Sequence, residues 1–446
     1  MKKDAVALKE LENDAVQVAV YRKPSSLIEF DVKTSPDLTK KARAKAVRAV
    51  SKEVTLPGFR KGRAPDLLIL KNFSKEVEKQ WEQELATLAF NESEKLADIP
   101  RLEADTKISF NCKSCDVEKG GHIQLTFETE PLIPEIDPKA ITLKEIKPAL
   151  VDEEKIDEMI RQSRFFFAEW TQITDRPAQE GDFVLLDVDT VEEHGLSNIF
   201  SKTRFEITEK SMATWMRKLV IGLPSGESIE GLSVAEETAS DEEKATFQPK
   251  RVMVHLVAIE TAALPPLDDA FAEKLGCTTV AQMRENISVL LKSQAEKHVQ
   301  EALRNQINQY LLTEVRIDLP RTLIEKEVNF RMQQLFQDPE FEPYWKGLPL
   351  EEKKKNLEMI TAQSTKAVSL FYTCRHILEK EKIPVSLEDV PQANQSMLEM
   401  FLAPQRPRPQ NQVQRAETLS RLILEKAQDF LISHATIEAD VAASPA

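Results

Sequence analysis

Apolar side chains recur with a helical period along most of the C-terminal part of the chain. Between residues 280 and 315 they fall on one face of a helix about 35 residues long. Pro320 begins another such pattern, and two more are expected at about 351–380 and 417–434. This period excludes strands, and helices of such length extend past the edge of a single compact core. Residues 263–446 are therefore predicted to form an elongated all-α domain with helical arms.

The N-terminal part alternates strand and helix patterns. Strands of period two are expected at four places, namely 16–21, 27–32, 107–111 and 122–128. The Ser35–Asp37 segment offers the cap and first-turn chemistry of a helix, which the Pro57–Gly58 pair ends. A second helix is expected over 65–97. Residues 1–130 therefore predict an α+β domain.

An extended linker and a second domain are expected next. Residues 131–150 are rich in proline and β-branched residues and lack helix signals, which is typical of an extended linker. A helix at 152–167 then leads into strands expected at 183–191, 205–207, 227–232 and 251–259. Residues 151–262 are thus predicted to form a small β-rich domain. Together these patterns predict an α+β multidomain protein.

Residues 40–63 reverse the charge of an otherwise acidic chain. The formal net charge is −14, yet this stretch holds nine Lys or Arg and a single acid, Glu53, a local charge of +8. Its last part, 56–65, reads Leu-Pro-Gly-Phe-Arg-Lys-Gly-Arg-Ala-Pro and places Phe59 among cations at a Gly/Pro turn. A solvated basic helix face would explain the charge alone, but not its continuation into this loop. The pattern favours contact with a polyanion, and RNA is the obvious one in the cytoplasm.

Composition excludes several classes of function. No segment approaches the roughly 18 consecutive apolar residues that a membrane helix needs, and the N-terminus lacks the apolar region of a signal peptide. Only 11 residues are glycine, and neither phosphate-binding glycine loop is present. We therefore expect a cytoplasmic protein without membrane association that acts without hydrolysing ATP and needs no cofactor.

The four cysteines do not form a disulfide framework in a chain of this length. Cys112 and Cys115 have the spacing of half a zinc site or of a redox pair, and His122 follows them. A structural zinc ion needs four ligands, whereas Cys277 and Cys374 belong to other predicted domains. Ordinary thiols at a strand edge are the favoured interpretation, and no metal site is predicted.

Three separated stretches carry a family likeness. They are 57–65 (Pro-Gly-Phe-Arg-Lys-Gly-x-x-Pro), 264–276 (Leu-Pro-Pro-Leu-Asp-Asp-Ala-Phe-Ala-Glu-Lys-Leu-Gly) and 317–327 (Ile-Asp-Leu-Pro-Arg-Thr-Leu-Ile-Glu-Lys-Glu). In this order they resemble the ribosome-binding signature, the join between isomerase and C-terminal domains, and an arm segment of bacterial trigger factor. That family consists of chaperones at the ribosomal exit tunnel. The likeness spans nearly the whole chain and thins between 188 and 250.

The resemblance implies a three-part architecture. It implies a ribosome-binding domain at 1–130, an FKBP-like antiparallel peptidyl-prolyl isomerase domain at 151–262, and a helical substrate-binding domain at 263–446. The family's ribosome-docking residues match four positions, Gly58, Phe59, Arg60 and Lys61. The implied partners are the ribosome, through rRNA and a ribosomal protein near the exit tunnel, and nascent or unfolded polypeptides.

An isomerase of this kind lowers the rotation barrier of an X-Pro bond by holding it in an aromatic, poorly hydrated pocket. Several aromatic positions of the family are changed here. Val188 and Val252 stand where the family has Phe, and 213–216, Ala-Thr-Trp-Met, replaces Ile-Pro-Gly-Phe. Trp215 and Phe200 are the candidates to refill the pocket. These changes favour a weak or lost isomerase, so no catalytic residue is assigned and the question of enzyme activity stays open.

The main prediction is an ATP-independent, ribosome-associated chaperone that binds nascent chains. One alternative is an active prolyl isomerase that assists folding. Another is a translation-associated RNA-binding factor without client binding. Apolar stripes exposed on the arms also allow a homodimer at high concentration.

Overall fold

The computed structural model describes residues 8–192, 195–235, 247–386 and 412–438 of the chain. Within them the chain forms two compact units. The first contains the described residues up to Ile146 and from Gln300 onwards, and the second runs from Lys147 to Val299. The first unit is therefore discontinuous in sequence. The extended loop that the prolines of 404–409 predict lies outside the described residues.

The elements confirm a mixed α/β fold with antiparallel sheets and a helical C-terminal part. The strands are β1 (Lys9–Glu12), β2 (Val16–Lys23), β3 (Leu27–Thr34), β4 (Ser109–Asp116), β5 (Gly120–Glu128), β6 (Thr142–Lys144), β7 (Glu169–Ile173), β8 (Phe183–Glu192), β9 (Gly195–Glu206), β10 (Ser228–Leu232), β11 (Arg251–Ala263) and β12 (Thr436–Glu438). The helices are α1 (Pro36–Glu53), α2 (Asp66–Asn72), α3 (Ser74–Ala97), α4 (Glu153–Phe165), α5 (Thr214–Val220), α6 (Asp269–Lys274), α7 (Val280–Glu314), α8 (Arg321–Leu335), α9 (Phe341–Gly347), α10 (Leu350–Lys380) and α11 (Gln412–His434). Within the described ranges, no helix is both long and apolar enough to cross a membrane.

Strands β1 to β5 form an antiparallel sheet in the order β1-β2-β3-β5-β4. In β2 and β3 buried apolar residues alternate with more exposed ones, so one face of the sheet is apolar. Helices α1 and α3 pack on that face. At its centre the ring of Phe127 meets those of Phe30 and Phe90 edge-on, with centroids 5.0 and 5.1 Å away.

The single helix expected over 65–97 is wrong, because the chain forms α2 and α3 there. They are separated by Phe73, whose backbone lies at φ −130° and ψ 39°. In one continuous helix Ile69 and Val77 would point about 80° apart. The break lets both pack with Val47 in one buried cluster, with Phe73 at its side. Packing thus overrides a helical pattern that looks continuous.

The extended segment at 131–150 is hydrogen-bonded along both edges of its strand. β6 pairs in parallel with β12, near the end of the described chain. The N–H and C=O of Lys144 point away from β12, and the side-chain amide of Gln306 meets them with bonds of 2.7 and 3.1 Å. Gln306 therefore takes the place of a neighbouring strand. Ile141 and Leu143 are fully buried, so this segment is packed into the first unit.

The second unit contains a sheet in the order β10-β11-β8-β9, with β7 paired to the far end of β11. Helix α5 packs on its apolar face. Helix α4 packs with α6 and the start of α7, where Ile160, Phe271 and Met283 are buried together. Helix α4 also approaches the outer face of the sheet, because Phe165 contacts Trp170 and Phe183. Neither β7 nor α5 was anticipated, since both are short and lack a distinct periodic pattern.

Two carboxylates form hydrogen bonds that connect the sheet of the first unit to the start of helix α8. Asp318, in the segment before α8, accepts hydrogen bonds from the backbone N–H groups of Ser25 (2.7 Å) and Ser26 (2.9 Å). Both serines have positive φ, which is a costly conformation for residues other than glycine. In return Glu128, at the end of β5, accepts from the N–H of Arg321 at the start of α8 (3.1 Å). Asp318 thus accepts from the backbone N–H groups of the strained turn in the sheet, and Glu128 of the sheet accepts from a backbone N–H group at the start of α8.

Replacing Asp318 by alanine should loosen the turn between β2 and β3. The change leaves two backbone N–H groups without their acceptor, at a cost of about 1–3 kcal/mol. Hydrogen–deuterium exchange of a peptide that contains Ser25 and Ser26 is expected to speed up roughly tenfold or more.

The matched control is Asp105→Ala. Asp105 is exposed, and the described part of the chain shows no hydrogen bond or ion pair to its carboxylate. Exchange at the two serines should be unchanged in this variant. Equal exchange in the Asp318 and Asp105 variants would contradict the role given to Asp318.

Candidate functional site

The basic loop over 56–65 is a pair of turns built on glycine. Gly58 and Gly62 have φ values of +88° and +77°, a region that glycine enters without strain. The first turn is closed by the N–H of Phe59 donating to Leu56 O (3.1 Å). The second is closed by the N–H of Arg63 donating to Arg60 O (3.0 Å). The loop therefore has a defined shape although its tip is exposed.

The base of the loop is anchored on a small apolar cluster. Val50 and Ile69, from α1 and α2, are buried in this cluster. Leu56 and Ala64, at the two ends of the loop, pack against it. The N–H of Gly62 also donates to Ser51 O in the last turn of α1 (2.9 Å). The loop is thus held at both ends and once in its middle.

The tip carries the residues that the sequence singled out. Gly58, Phe59, Arg60 and Lys61 are all exposed, with 40 % of Phe59 accessible. Within the part of the chain that the structure describes, the side chains of Arg60 and Lys61 have no hydrogen bond or ion pair. An exposed aromatic ring beside two unpaired cations can pack or stack while the cations pair with phosphate or carboxylate.

The cations of α1 divide into two groups. Arg43 lies over the ring of Trp81, with its guanidinium carbon 5.4 Å from the ring centroid. Trp81 is itself held by its indole N–H, which donates to Thr39 O (3.0 Å). The others are exposed and, in the described ranges, without an acidic partner: Lys40, Lys41, Lys45, Arg48 and Lys52. The basic run therefore remains uncompensated in the fold.

The positions discussed for an isomerase pocket lie around the core of the second unit. Val188 and Val252 are fully buried in the apolar core beneath α5. Trp215 packs against the same core and is partly buried. Phe200 is 38 % exposed and meets Phe205 edge-on, with centroids 5.5 Å apart. The side chains of Val188 and Val252 are thus aliphatic parts of the core and do not supply aromatic rings to a pocket.

Cys112 and Cys115 lie on β4, at the edge of the first sheet, and both pack against its apolar core. A bulge between Cys112 and Ser114 shifts the register of the strand there. Burial raises the pKa of both thiols, and that of Cys115 reaches about 12, with neighbouring Cys112 as the second cause. Among the described residues, no group of three or more metal-ligating side chains comes together.

Sequence reasoning missed an aromatic cluster between α8 and α10. The rings of Phe336, Phe341, Tyr344 and Trp345 contact one another, with centroids 5.3–6.5 Å apart. Phe336 is 42 % and Tyr344 58 % exposed, and Leu350, five residues after Trp345 in the sequence, is 83 % exposed. The available signal was the density of aromatics, four in ten residues in a chain that is 6 % aromatic. We call these four rings the aromatic tip.

Comparisons with known proteins point to one family. A family model described as "Bacterial trigger factor protein (TF)" matches residues 16–163. A second, described as "Bacterial trigger factor protein (TF) C-terminus", matches residues 279–433. The two matches lie on either side of residues 164–278.

Curated relatives bear the same name. "Trigger factor" of Protochlamydia amoebophila (strain UWE25) is 29 % identical over 389 residues, which is 86 % of each chain. That of Chlamydia abortus (strain DSM 27085 / S26/3) is 26 % identical over 388 residues, again 86 % of each. A protein of Synechococcus sp. (strain JA-3-3Ab) is 26 % identical over 394 residues, 83 % of this chain and 69 % of its own.

A solved structure is also similar. It is described as "Promiscuous Substrate Recognition in Folding and Assembly Activities of the Trigger Factor Chaperone". The alignment covers 93 % of this chain and 99 % of that one, with 18 % identity and a TM-score of 0.45.

The thiols of Cys112 and Cys115 should react slowly with iodoacetamide at pH 8. The thiolate is the reactive form, and a pKa of about 12 in place of 9.0 lowers its fraction at Cys115 roughly thousandfold. Peptide mapping after brief alkylation should show both cysteines far less modified in the folded protein than in urea. Equal modification in the two states would contradict the protected environment.

The raised pKa of Cys115 also makes the free energy of unfolding depend on pH. Because folding raises the pKa of Cys115, the folded state keeps this proton where the unfolded state loses it. The stabilisation is present below pH 9 and is lost as the pH rises towards about 12. A Cys115→Ser variant should lose this part of the pH dependence.

Proposed function

This chain belongs to the trigger factor family, and we propose that it works as an ATP-independent, ribosome-associated molecular chaperone for nascent polypeptides. The loop at 56–65 carries the proposal. Its aromatic and cationic tip is exposed, unpaired within the described residues, and held on a buried apolar base. A rigid base with an open tip suits docking, because little conformational entropy is lost on contact.

We assign docking to Gly58, Phe59, Arg60 and Lys61. The positive φ of Gly58 allows the turn that brings Phe59 and the cations to the same end of the loop. Arg60 and Lys61 would pair with rRNA phosphates or with acidic side chains of a ribosomal protein near the exit tunnel. Phe59 would pack into a shallow apolar site on the ribosome surface. Docking on ribosomes would locate this activity in the cytoplasm.

Client binding is assigned to apolar surface on the helical part of the first unit. Tyr344, Leu350 and Met359 are each more than half exposed, and Tyr344 belongs to the aromatic tip. Exposed apolar surface of this kind can cover apolar segments of an unfolded chain and release them again, since no step requires ATP. The same surface would let two copies associate at high concentration.

The two alternatives are not favoured. A working prolyl isomerase as the main activity fits poorly with Val188 and Val252, whose aliphatic side chains are buried where the family has Phe. A pure RNA-binding factor leaves the exposed apolar surface of the helices without a role. The family matches at both ends of the chain fit a chaperone better than either.

The docking assignment predicts that Phe59→Ala, Arg60→Ala, Lys61→Ala loses ribosome binding. Co-sedimentation with ribosomes should fall about tenfold or more, because the triple variant removes the anchor ring and both charges. Wild-type binding should also weaken as salt is raised. All three side chains are exposed, so the variant should fold normally.

A matched control removes one exposed apolar residue and two exposed cations elsewhere, as Leu132→Ala, Lys354→Ala, Lys355→Ala. It should bind ribosomes as the wild type does. Equal binding by both variants and the wild type would overturn the assignment of the loop. Absence of binding by the wild type would overturn ribosome association itself.

The client assignment predicts that Tyr344→Ser, Leu350→Ser, Met359→Ser weakens chaperoning. In a ribosome-free assay with a chemically denatured test protein, roughly three- to tenfold more of this variant should be needed to suppress aggregation. Leu132→Ser, Leu150→Ser, Val289→Ser, which removes three apolar residues of similar exposure, is the control. The loop triple variant should suppress aggregation normally. If all variants act alike, clients do not bind at this surface.

A further inference from the structure

Four cations of α1 lie in a single line along the helix. Lys41, Lys45, Arg48 and Lys52 are spaced by four, three and four residues, which places them within about 60° of one another around the axis. All four are exposed, whereas Ala42, Ala46 and Val50 are buried against the unit. We call these four residues the basic stripe. It extends for about 16 Å along the helix.

Repulsion between the charges of the basic stripe destabilises helix α1 in the protein on its own. Neighbouring like charges three or four residues apart destabilise a helix by about 0.2–0.5 kcal/mol per pair, and the stripe contains three such pairs. Elsewhere the fold pairs its cations, as where Arg284 meets both Glu153 and Asp157 at 2.6 Å. In the described ranges no carboxylate lies within ion-pair distance of the stripe, although Asp37 stands one turn before Lys41 on the same helix. Folding alone therefore gives no reason for this arrangement.

The stripe continues into the docking loop. The N–H of Gly62 donates to Ser51 O, and a Cβ placed on Gly62 would lie 3.6 Å from Lys52 Cγ. The loop therefore folds back over the end of the helix where the stripe ends. Positive charge therefore extends from Lys41 along α1 to the cations of the tip, with Glu53 as the single acid in that stretch of sequence.

The chemistry of the stripe fits a phosphate backbone better than a protein surface. Protein hot spots are enriched in large side chains such as Trp, Tyr and Arg that become buried at the centre of an interface, and the stripe has no aromatic neighbour on its face, where Ala44 and Ala49 flank it. A regular line of cations, three lysines and one arginine, instead matches a regular line of phosphates.

We propose that the basic stripe binds the phosphate backbone of RNA, as a contact separate from that made by Phe59, Arg60 and Lys61. This proposal rests on the proposed function, because docking on the ribosome is what brings RNA to this face. The loop positions the protein, and the stripe adds affinity that depends on salt but not on sequence.

The test is the salt dependence of binding by the full chain. The stripe variant is Lys41→Gln, Lys45→Gln, Arg48→Gln, Lys52→Gln, in which glutamine preserves helix propensity. The control is Lys292→Gln, Lys297→Gln, Lys354→Gln, Lys355→Gln, four exposed lysines elsewhere that give the same change in net charge. The probes are intact ribosomes and ribosomal RNA freed of protein. Circular dichroism confirms that each variant is folded.

Counterion release sets the expected size of the effect. Each lost phosphate contact flattens the plot of log K against log salt by about 0.7–0.9, so the stripe variant should show a slope shallower by about 3 on both probes. Its affinity should converge with that of the wild type near 1 M salt. The control should keep the wild-type slope.

Three other outcomes separate the possibilities. An unchanged slope for the stripe variant on both probes would overturn the proposal and leave loop docking intact. A shallower slope on ribosomes alone would assign the stripe to an acidic ribosomal protein and would also overturn it. Failure of the wild type to bind ribosomes would overturn the proposed function. The slope measured on free ribosomal RNA would still show whether the basic stripe binds RNA phosphates.

Discussion

The first unit depends on hydrogen bonds between segments that lie 193 to 293 residues apart in sequence. Asp318 satisfies the N–H groups of a strained turn, and Glu128 satisfies the start of α8. Such bonds are stronger with a charged acceptor than with a neutral one, and a buried donor left unpaired is costly. The direction of α8 is therefore set by the N-terminal sheet. Because α8 leads into the aromatic tip, the surface assigned to clients is held in a defined position relative to α1 and its loop.

The two assigned surfaces have opposite physical characters within one unit. The docking end is cationic and uncompensated, so its contacts are long-ranged, sensitive to salt and quick to form. The apolar side chains of the client surface act only at contact and are largely indifferent to salt. Binding at one surface therefore does not compete electrostatically with binding at the other. An acidic chain with a net charge of −14 also limits nonspecific attraction to RNA outside the basic run.

Features with a local cause were predictable from the sequence. The helical period at 280–315 predicted α7 at Val280–Glu314, and the glycines of the loop predicted its turns. Features with a distant cause were not. Nothing near Lys144 indicates that Gln306 and β12 will flank it, and the break at Phe73 follows from packing against α1. The candidate loop was recognisable from residue types, whereas the lack of acidic partners for the exposed cations of α1 within the described residues emerges only when the chain is folded.

The pairing of β6 with β12 has a consequence for the protein's own synthesis. The N-terminal sheet closes with residues that are all made early, since β5 ends at Glu128. The segment after it contains Ile141 and Leu143, and its partner strand, Thr436–Glu438, is synthesised about 290 residues later. Until nearly the whole chain has left the ribosome, these apolar residues have no β12 beside them and resemble the segments that aggregate during synthesis. A newly made copy therefore exposes apolar residues of its own until residues 436–438 have been made, and in that state it has the same need for shielding as the chains it is proposed to bind.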